Sequence, residues 1–315
     1  MQFNSAEEKK NCRRNVNEQS IFIWTSIGNT FFLFEKRISC AGEYSEIEEK
    51  YFLPGGETGT CATVLDSLGV NVKIDGTHIG TEVEPMLKEF YKNKNVDLSS
   101  LFFDPDYSGL MDYVLISGLE RTPMGMFQQL YEKKTKRWNM PKENDIVQAD
   151  VVAIDPFFQE ETIRAAELCV KHNKPYVTID CPHNTYLHQH CAVNVVSIEC
   201  LRNDYKNMTK EEAFELLKED SDGLTILTTG SNDMLYGRRG MPTKKMPVFK
   251  VDVKSSLGAG DTFKAGCVYG ILKGMEDDSL VRFASACSAV AISRYPLPLN
   301  PPKLDEVQKL ISRGA

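Results

Sequence analysis

The chain lacks both an excess of basic residues and a long apolar run. Its 37 Lys and Arg are outnumbered by 44 Asp and Glu, and the net charge of −7 argues against a nucleic-acid-binding surface. No apolar stretch is long enough to span a bilayer, and residues 1–19 are polar and mixed in charge. We therefore expect no nucleic-acid partner, no membrane association and no signal peptide.

Paired cysteines and two common nucleotide-binding motifs are also missing. The nine cysteines form an odd set without a pairing pattern, which favours reduced thiols in a soluble, cytoplasmic protein. Neither Gly-x-x-x-x-Gly-Lys-Ser/Thr nor Gly-x-Gly-x-x-Gly occurs, so P-loop and dinucleotide-binding proteins lose their main support. The sequence also shows no internal repeat, low-complexity segment or interdomain linker.

The order of predicted elements indicates an α/β fold. A strand at 150–154, a helix at 159–171 and a strand at 175–180 alternate with near-continuous apolar strands, as in a parallel sheet covered by helices. We predict a flexible N-terminal lead at 1–20 and one domain over 21–315. A small β lid is expected from two segments, about 30–53 and 108–122.

Further elements complete this pattern. Other strands and helices are predicted at 21–24, 58–68, 70–74, 85–92, 193–198, 209–218, 224–228, 260–273 and 280–293. The last of these helices is rich in small residues, so we expect it to pack closely on the preceding helix near Gly266.

The most informative segment is Gly258-Ala259-Gly260-Asp261. A glycine turn that leads into a helix N-terminus offers unpaired N–H groups and a favourable dipole to an anion. An Asp beside that anion could take a proton from a nucleophile that attacks a bound phosphate. An ordinary helix start with Asp in its first turn gives the same pattern, so the motif alone leaves both interpretations open. Lys254 and Lys264 flank the turn; either could contact a phosphate, but solvated lysines are the favoured interpretation.

Several motifs in order resemble the ribokinase-like, or PfkB, family of carbohydrate kinases. Gly258 to Asp261 is similar to its C-terminal signature. Gly55-Gly56, then Leu68-Gly69 and residues 78–82, resemble its N-terminal signature in spacing. Thr228-Thr229-Gly230 resembles its nucleotide-side turn. The matches extend from about residue 21 to about 295.

The resemblance implies a fold, a reaction and a set of site residues. It implies a mainly parallel sheet between helices, with a β lid, that transfers phosphate from Mg²⁺-ATP to a hydroxyl of a small sugar or polyol. Asp261 would be the general base, and the N–H groups of Gly258, Ala259 and Gly260 would stabilise the transferred group. The implied residues on the nucleotide side are Thr228, Gly230, Ser256, Gly258 and Gly260. Those on the substrate side are Asn29, Thr30, Gly55, Gly56, Thr60, Arg121 and Asp261.

The sequence departs from the family pattern at several positions. Ser255 stands where an acidic residue usually helps to build a monovalent-cation site, so dependence on such a cation is doubtful. The family's sugar-binding Asp lies five residues after a Gly; the matching positions here are Thr30 and Thr25, with Asn29 nearby, so neutral groups are expected to hold the acceptor hydroxyls. Thr60 replaces the usual Asn of the glycine-pair motif.

Two further sets of residues have competing interpretations. Glu199, in Ser197-Ile198-Glu199-Cys200, is either a carboxylate that holds Mg²⁺ through water or a solvated residue at a helix start. Arg121 either reaches an anionic substrate group or is an ordinary surface residue. The cluster Cys181, His183, His188, His190, Cys191 offers zinc ligands, but a loop with solvated histidines is the favoured interpretation.

Three alternatives stay open at this stage. A nucleoside kinase of the same fold would need aromatic residues in the lid, for which Phe31, Phe32 or Tyr51 could serve. A non-catalytic binding or regulatory member is the second alternative, and a flavodoxin-like or dehydrogenase protein is the third. Because relatives often pair through their lids, a homodimer is also expected from the resemblance.

Overall fold

The computed structural model describes residues 19–23, 27–34, 42–127, 130 and 135–314. Nearly all of the predicted N-terminal lead lies outside these ranges, as does Thr25. Among the described residues, no helix combines the length and the apolar character needed to cross a membrane.

Within the described ranges, fifteen strands form three sheets. Their bounds are β1 Gln19–Ile23, β2 Ile27–Phe34, β3 Ile47–Gly55, β4 Asn71–Asp75, β5 Ile79–Gly80, β6 Val96–Asp97, β7 Phe103–Asp104, β8 Met111–Ser117, β9 Glu120–Met124, β10 Val151–Ile154, β11 Tyr176–Ile179, β12 Val193–Ser197, β13 Leu224–Thr228, β14 Met234–Gly237 and β15 Lys244–Met246.

Helices cover both faces of the largest sheet. The described α-helices are α1 Gly56–Ser67, α2 Glu84–Tyr91, α3 Glu143–Gln148, α4 Gln159–Lys171, α5 Tyr186–Gln189, α6 Ile198–Asp204, α7 Lys210–Asp220, α8 Ala259–Leu272, α9 Asp277–Ile292 and α10 Leu304–Arg313. A 3₁₀ turn at Leu297–Leu299 precedes α10.

The main sheet has nine strands in the order β15-β14-β13-β12-β11-β10-β1-β4-β6. All strands from β13 to β6 are parallel, and the β14–β15 hairpin is antiparallel. The chain passes from β1 toward β4 on one side and later returns to β10 on the other side. In open parallel sheets, ligands bind at the carboxyl ends of the strands beside such a reversal.

A second sheet covers that edge as a lid. Its four strands run in the order β3-β2-β8-β9. β2 pairs antiparallel with β3 and parallel with β8, which places Asn29 beside Asp112 in the register. Side chains alternate along each strand, so Asn29 and Phe31 share the face toward the main sheet. The lid therefore brings polar and aromatic residues from two distant segments over the strand ends.

Alternate residues of each strand divide the core into two layers. Val151 and Ala153 of β10 pack in the cluster that contains α1, α8 and α9, whereas Val152 and Ile154 pack in the cluster that contains α4. α8 and α9 approach closely, because a Cβ on Gly266 would stand 2.6 Å from the Cα of Ala284. This contact confirms the close packing that the small residues predict.

The expected fold class is confirmed, with differences at the margins. α4, β11 and β13 lie within a residue of the predicted bounds. The β14–β15 hairpin and α10 have no predicted counterpart, and residues 58–68 form a helix that begins two residues earlier, at Gly56. The division into a lead and one domain stays a prediction.

Candidate active site

A cavity of about 840 Å³ lies between the lid and the carboxyl ends of the central strands. Its wall includes Asn29 and Asp112 from the lid, Glu57 and Thr60 from α1, and Gly258 and Asp261 from the start of α8. Four segments that are distant in the sequence thus meet around one space, which has the size typical of small-molecule sites.

The turn before α8 is shaped for an anion. Gly258 is the residue that precedes the helix, and its φ of 76° lies in the left-handed region that favours glycine. A Cβ at this position would stand 3.2 Å from both Thr60 and Leu297, so the backbone passes close to α1. The first N–H groups of α8 have no acceptor within the helix and lie at the positive end of its dipole. These groups can stabilise a phosphoryl group above the turn.

Asp261 lies in the first turn of α8 and lines the cavity. Burial raises the pKa of its carboxyl group to about 6, although the cations Lys264 and Arg121 act in the opposite direction. A carboxylate with a pKa near neutrality is suited to accept a proton from a hydroxyl group. The Sγ of Cys61 donates to the main-chain oxygen of Asp261 at 3.0 Å, which fixes this turn against α1.

Lys264 lies beneath Asp261 and is fully buried, so the expectation of a solvated lysine is wrong. Its Nζ forms an ion pair with Asp155, which follows β10, and only 1% of either side chain is exposed. Burial alone would lower the pKa of Lys264, but the nearby Asp155, Cys61 and Asp261 more than offset this, and the pKa is raised. The Oγ1 of Thr58 donates to the second oxygen of Asp155 at 3.1 Å. Lys264 is therefore a fixed positive charge behind the base.

Glu57 adds a second carboxyl group to the cavity wall. Burial, together with the charges of Asp155 and Asp261, raises its pKa to about 8, although Lys264 acts in the opposite direction. The pKa of Glu57 is raised further above its ordinary value than that of Asp261. Glu57 is therefore the better hydrogen-bond donor of the two, and Asp261 is the better proton acceptor.

The cavity brings together only part of the predicted site. Asn29, Gly56, Thr60, Gly258 and Asp261 line it. Thr30, Gly55, Arg121, Ala259, Gly260, Ser256, Thr228, Gly230 and Glu199 are not among its lining residues. The side chain of Thr30 instead donates to the sulfur of Met111 at 3.7 Å.

Arg121 joins the lid to the turn before α8. Its Nη1 donates to the main-chain oxygen of Ser256 at 2.8 Å, although the side chain is exposed. Its charge also lowers the pKa of Asp261, so it lies close to the base. Arg121 is thus neither an isolated surface residue nor part of the cavity wall.

The predicted nucleotide-side turn follows β13. Gly230 is exposed with φ of 66°, and the Oγ1 of Thr228 donates to the main-chain oxygen of Val196 at 3.3 Å. The Oγ1 of Thr229 closes the turn by donating to the main-chain oxygens of Asn232 and Asp233, at 2.9 Å each. This open turn lies two strands from β11, along the same edge of the sheet as Asp261.

An acidic patch lies between this turn and Asp261. Glu199 is exposed in the first turn of α6, and its charge raises the pKa of Asp180, for which burial is the main cause. Asp180 follows β11, has φ of 46° and accepts a hydrogen bond from the Ser197 N–H at 2.6 Å. Among the described residues, no group of three or more His, Cys, Asp and Glu side chains is placed to hold a metal ion. One or two carboxylates nevertheless suit Mg²⁺, which usually keeps several waters and binds phosphate oxygens.

The histidine and cysteine cluster has a structural explanation. His188 is fully buried, which differs from the expected solvated loop, and its Nδ1 and Nε2 lie 2.9 Å from Asn194 and from the Leu217 oxygen. The Sγ of Cys191 donates to the His188 oxygen at 3.1 Å. His183 instead pairs with Tyr205. These partners use the side chains within the fold.

Sequence reasoning missed three residues in or beside the candidate active site, Glu57, Asp112 and Asp155, and it wrongly assigned Lys264 to solvent. Glu57 directly follows the glycine pair, so its position next to a recognised motif was a usable signal. Asp112 sits in an apolar strand pattern, and a lone carboxylate there was the signal to examine. The pairing of Asp155 with Lys264 joins residues far apart in the sequence and left no local signal.

Comparison with known proteins identifies the family. The model of the pfkB family carbohydrate kinase matches residues 18–300. The chain belongs to the pfkB family of carbohydrate kinases. It is thus a phosphotransferase of this class, as the resemblance of the motifs implied.

Individual relatives agree with this assignment. Ribokinase from Lactococcus lactis is 25% identical over 286 residues, which cover 86% of this chain and 90% of that protein. A 5-dehydro-2-deoxygluconokinase from Shouchella clausii is 32% identical over 101 residues, or 32% of this chain and 31% of that protein.

Solved structures share the fold. Arabidopsis thaliana ribokinase, complexed with ribose and ATP, has a TM-score of 0.77 and 15% identity, and the match covers 93% of this chain and 98% of that one. A provisionally named ribokinase II from Escherichia coli, in complex with ATP and Mg²⁺, has a TM-score of 0.76 and 15% identity, with 94% and 99% covered. A nucleoside kinase from Methanocaldococcus jannaschii has a TM-score of 0.75 and 15% identity, with 94% and 98% covered.

Proposed function

We propose that this protein transfers a phosphoryl group from Mg²⁺-ATP to a hydroxyl of a small sugar or related polyol, with Asp261 as the general base. The observation that carries the proposal is the position of Asp261. Its carboxyl group lines a cavity of about 840 Å³ at the N-terminus of α8, beside the glycine turn. A proton acceptor and an anion-binding backbone therefore meet at one point.

The chemistry follows from these neighbours. The acceptor hydroxyl would lie against Asp261, which takes its proton as the oxygen attacks the terminal phosphate in line. The N–H groups at Gly258, Ala259 and Gly260 would stabilise charge on the transferred group without reorganisation. Lys264, behind the base, helps to keep Asp261 ionised before transfer. Positioning and electrostatics, rather than a covalent intermediate, then supply the rate enhancement.

The nucleotide would lie along the strand ends from α8 toward the turn after β13. Thr228, Gly230 and Ser256 are the residues proposed to contact it there. Mg²⁺ supplies charge neutralisation of the phosphates when bound. Glu199, through water, and Asp180 are the carboxylates that we propose to lie on the metal side. A monovalent cation is not part of the proposal. The Oγ of Ser255 accepts a hydrogen bond from the Leu257 N–H at 3.3 Å. Asp252, the acidic residue that precedes Ser255 by three positions, is exposed and paired with Lys254.

The test is a substrate-depletion screen with ATP against sugars, polyols and nucleosides. The wild type is compared with Asp261→Asn, which keeps the shape of the side chain but cannot take a proton at neutral pH. We expect turnover of at least one acceptor, and a loss of roughly 10²–10⁴ in kcat for the variant. A wild type that turns over nothing above the variant would refute the proposal and favour a non-catalytic member of the family.

A nucleoside kinase is the second candidate, because aromatic side chains line the cavity. Phe31 of the lid lies in the wall together with Phe127 and Phe157, and such faces can stack on a nucleobase. Phe32 has the opposite orientation and stacks on Tyr113, with ring centroids 6.2 Å apart. The nucleoside arm of the same screen distinguishes the two candidates.

We also propose a homodimer that forms through the lid, in a cytoplasmic protein. The support for the dimer is the apolar surface of the four-stranded sheet, where 40% of Tyr113 and 44% of Ile47 are exposed. The support for a cytoplasmic location is that the seven described cysteines are free thiols, as is usual in a reducing compartment. Sedimentation equilibrium tests the dimer, and a monomer at micromolar concentration would reject it.

A further inference from the structure

Two side chains of the lid that line the cavity each have a buried acceptor oxygen without a hydrogen-bond partner among the described residues. Asn29 on β2 and Asp112 on β8 are neighbours in the strand register, and both side chains line the cavity. Their Oδ1 atoms are buried and, among the described residues, accept no hydrogen bond. Only 8% of Asn29 is exposed. A buried acceptor without a donor is unfavourable, so a ligand that supplies donors would recover free energy on binding.

The surroundings leave little freedom to either side chain. A Cβ on Gly55 would clash with the side-chain amide of Asn29, and a Cβ on Gly125 would clash with the carboxylate of Asp112. Glycine at both positions therefore lets the backbone pack directly against these groups. Both side chains thus pack against the lid backbone without a bound ligand, which is the kind of arrangement that a preorganised subsite requires.

The charge around this pair is negative or neutral. Glu57, Asp112 and Asp261 place three carboxyl groups in the cavity wall. Among the described wall residues the one cation is Arg294, whose guanidinium is 3.0 Å from the carboxylate of Glu306. A phosphate or carboxylate on the acceptor would thus face like charges without a free partner.

We infer that Asn29 and Asp112 form a paired subsite for two hydrogen-bond donors of the acceptor, and that this acceptor is a polyol without a phosphate or carboxylate group. Neighbouring strands lie about 4.8 Å apart, so hydroxyl or amino groups on nearby carbons of one small molecule can reach both oxygens. The inference rests on the proposed function and specifies its substrate class. Asp112 acts in it as a specificity determinant that favours donors and repels anions.

Binding, rather than turnover, tests this inference. Calorimetric titrations of the full chain would compare D-ribose and D-fructose with ribose 5-phosphate, fructose 1-phosphate and gluconate. The variants are Asp112→Asn, Asp112→Leu and Asn29→Leu. The matched control is Glu120→Gln, which removes one charge from an exposed site in the same sheet, outside the cavity wall. Thermal unfolding and ATP titration confirm that each variant is folded.

We expect a neutral sugar to bind the wild type and to lose about tenfold to a hundredfold in affinity in Asp112→Leu, because a hydrogen bond to a charged group is worth about 1.5–3 kcal/mol. Asp112→Asn should lower the ratio of the affinity for neutral sugars to the affinity for anionic sugars, whereas Glu120→Gln should leave this ratio unchanged. Tighter binding of an anionic sugar by the wild type, or no binding of any sugar in the panel, overturns the inference. Turnover of an anionic acceptor would refute the inference while the kinase proposal stands. Binding of a neutral sugar that depends on Asp112, without turnover, would support the inference and refute the kinase proposal.

Discussion

Replacement of Lys264 by Met tests the buried charge behind the proposed base. Lys264 and Asp155 are each 1% exposed and pair directly, so the variant leaves the Asp155 carboxylate buried without its cation. Breaking a buried pair in this way costs about 3–5 kcal/mol of the free energy of unfolding. Because the Lys264 charge lowers the pKa of Asp261, its removal should also raise that pKa above about 6. The acid limb of kcat/KM then moves to higher pH.

The assays are chemical denaturation and the pH dependence of kcat/KM. The double variant Asp155→Asn with Lys264→Met removes both charges and keeps an oxygen for the hydroxyl of Thr58. It should recover at least half of the lost stability, since a buried pair can be replaced by neutral groups at little cost. Asp155→Asn alone removes a carboxylate that raises the pKa of Asp261, so its acid limb should move to lower pH.

Lys254→Met is the matched control. This lysine lies on the other side of the glycine turn, is 58% exposed and pairs with exposed Asp252. Exposed pairs contribute less than about 1 kcal/mol, so stability and pH profile should both stay close to the wild type. The reasoning fails if Lys264→Met resembles Lys254→Met, or if Lys264→Met and Asp155→Asn move the acid limb in the same direction.

Two further predictions concern the pH profile and the packing of α8. In the wild type, kcat/KM should fall tenfold per pH unit below about pH 6, where Asp261 is protonated, and should fall again above about pH 8, where ionised Glu57 adds a negative charge. Glu57→Gln should remove the alkaline limb only, and an unchanged limb would exclude Glu57 as its source. Gly266→Ala should lower the free energy of unfolding by about 1–3 kcal/mol, because its Cβ would stand 2.6 Å from Ala284. Gly59→Ala in α1, where the new Cβ stays 3.5 Å from its neighbours, should leave the free energy of unfolding nearly unchanged. Equal losses of stability in the two variants would contradict the packing argument.

Local sequence patterns predicted the central fold well. β10, α4 and β11 follow from apolar runs and their spacing, and the capping box at Thr209 and Glu212 marks the start of α7. The β14–β15 hairpin was missed because residues 230–246 are rich in turn-forming and charged residues, which conceal two short strands at one margin of the main sheet. Such short strands depend on pairing with a neighbour, and that pairing is not visible in local composition.

Sequence patterns indicated the residues of the candidate site only where those residues belong to a contiguous motif. Gly258 and Asp261 belong to one contiguous turn, so their proximity is fixed by the local chain. Asp112 lies beside Asn29 because β2 and β8 are parallel neighbours, and that register is decided by the tertiary fold. Lys264 was assigned to solvent because lysine is rarely buried, and only the position of Asp155 under α8 makes its burial tolerable.

The lid register also bears on how this chain departs from its family. The resemblance implies a sugar-binding Asp near the end of the first strand, and here Asn29 and Thr30 occupy that region. Asp112 faces the same cavity from the adjacent strand, level with Asn29. Asp112 thus places a carboxylate where the acceptor would bind, but one strand away from the position that the family pattern implies, a distance of about 4.8 Å. An acceptor that binds to Asp112 must present its hydroxyl groups to Asp261 at a different angle. The hydroxyl that receives the phosphate should therefore depend on Asp112 as well as on the base.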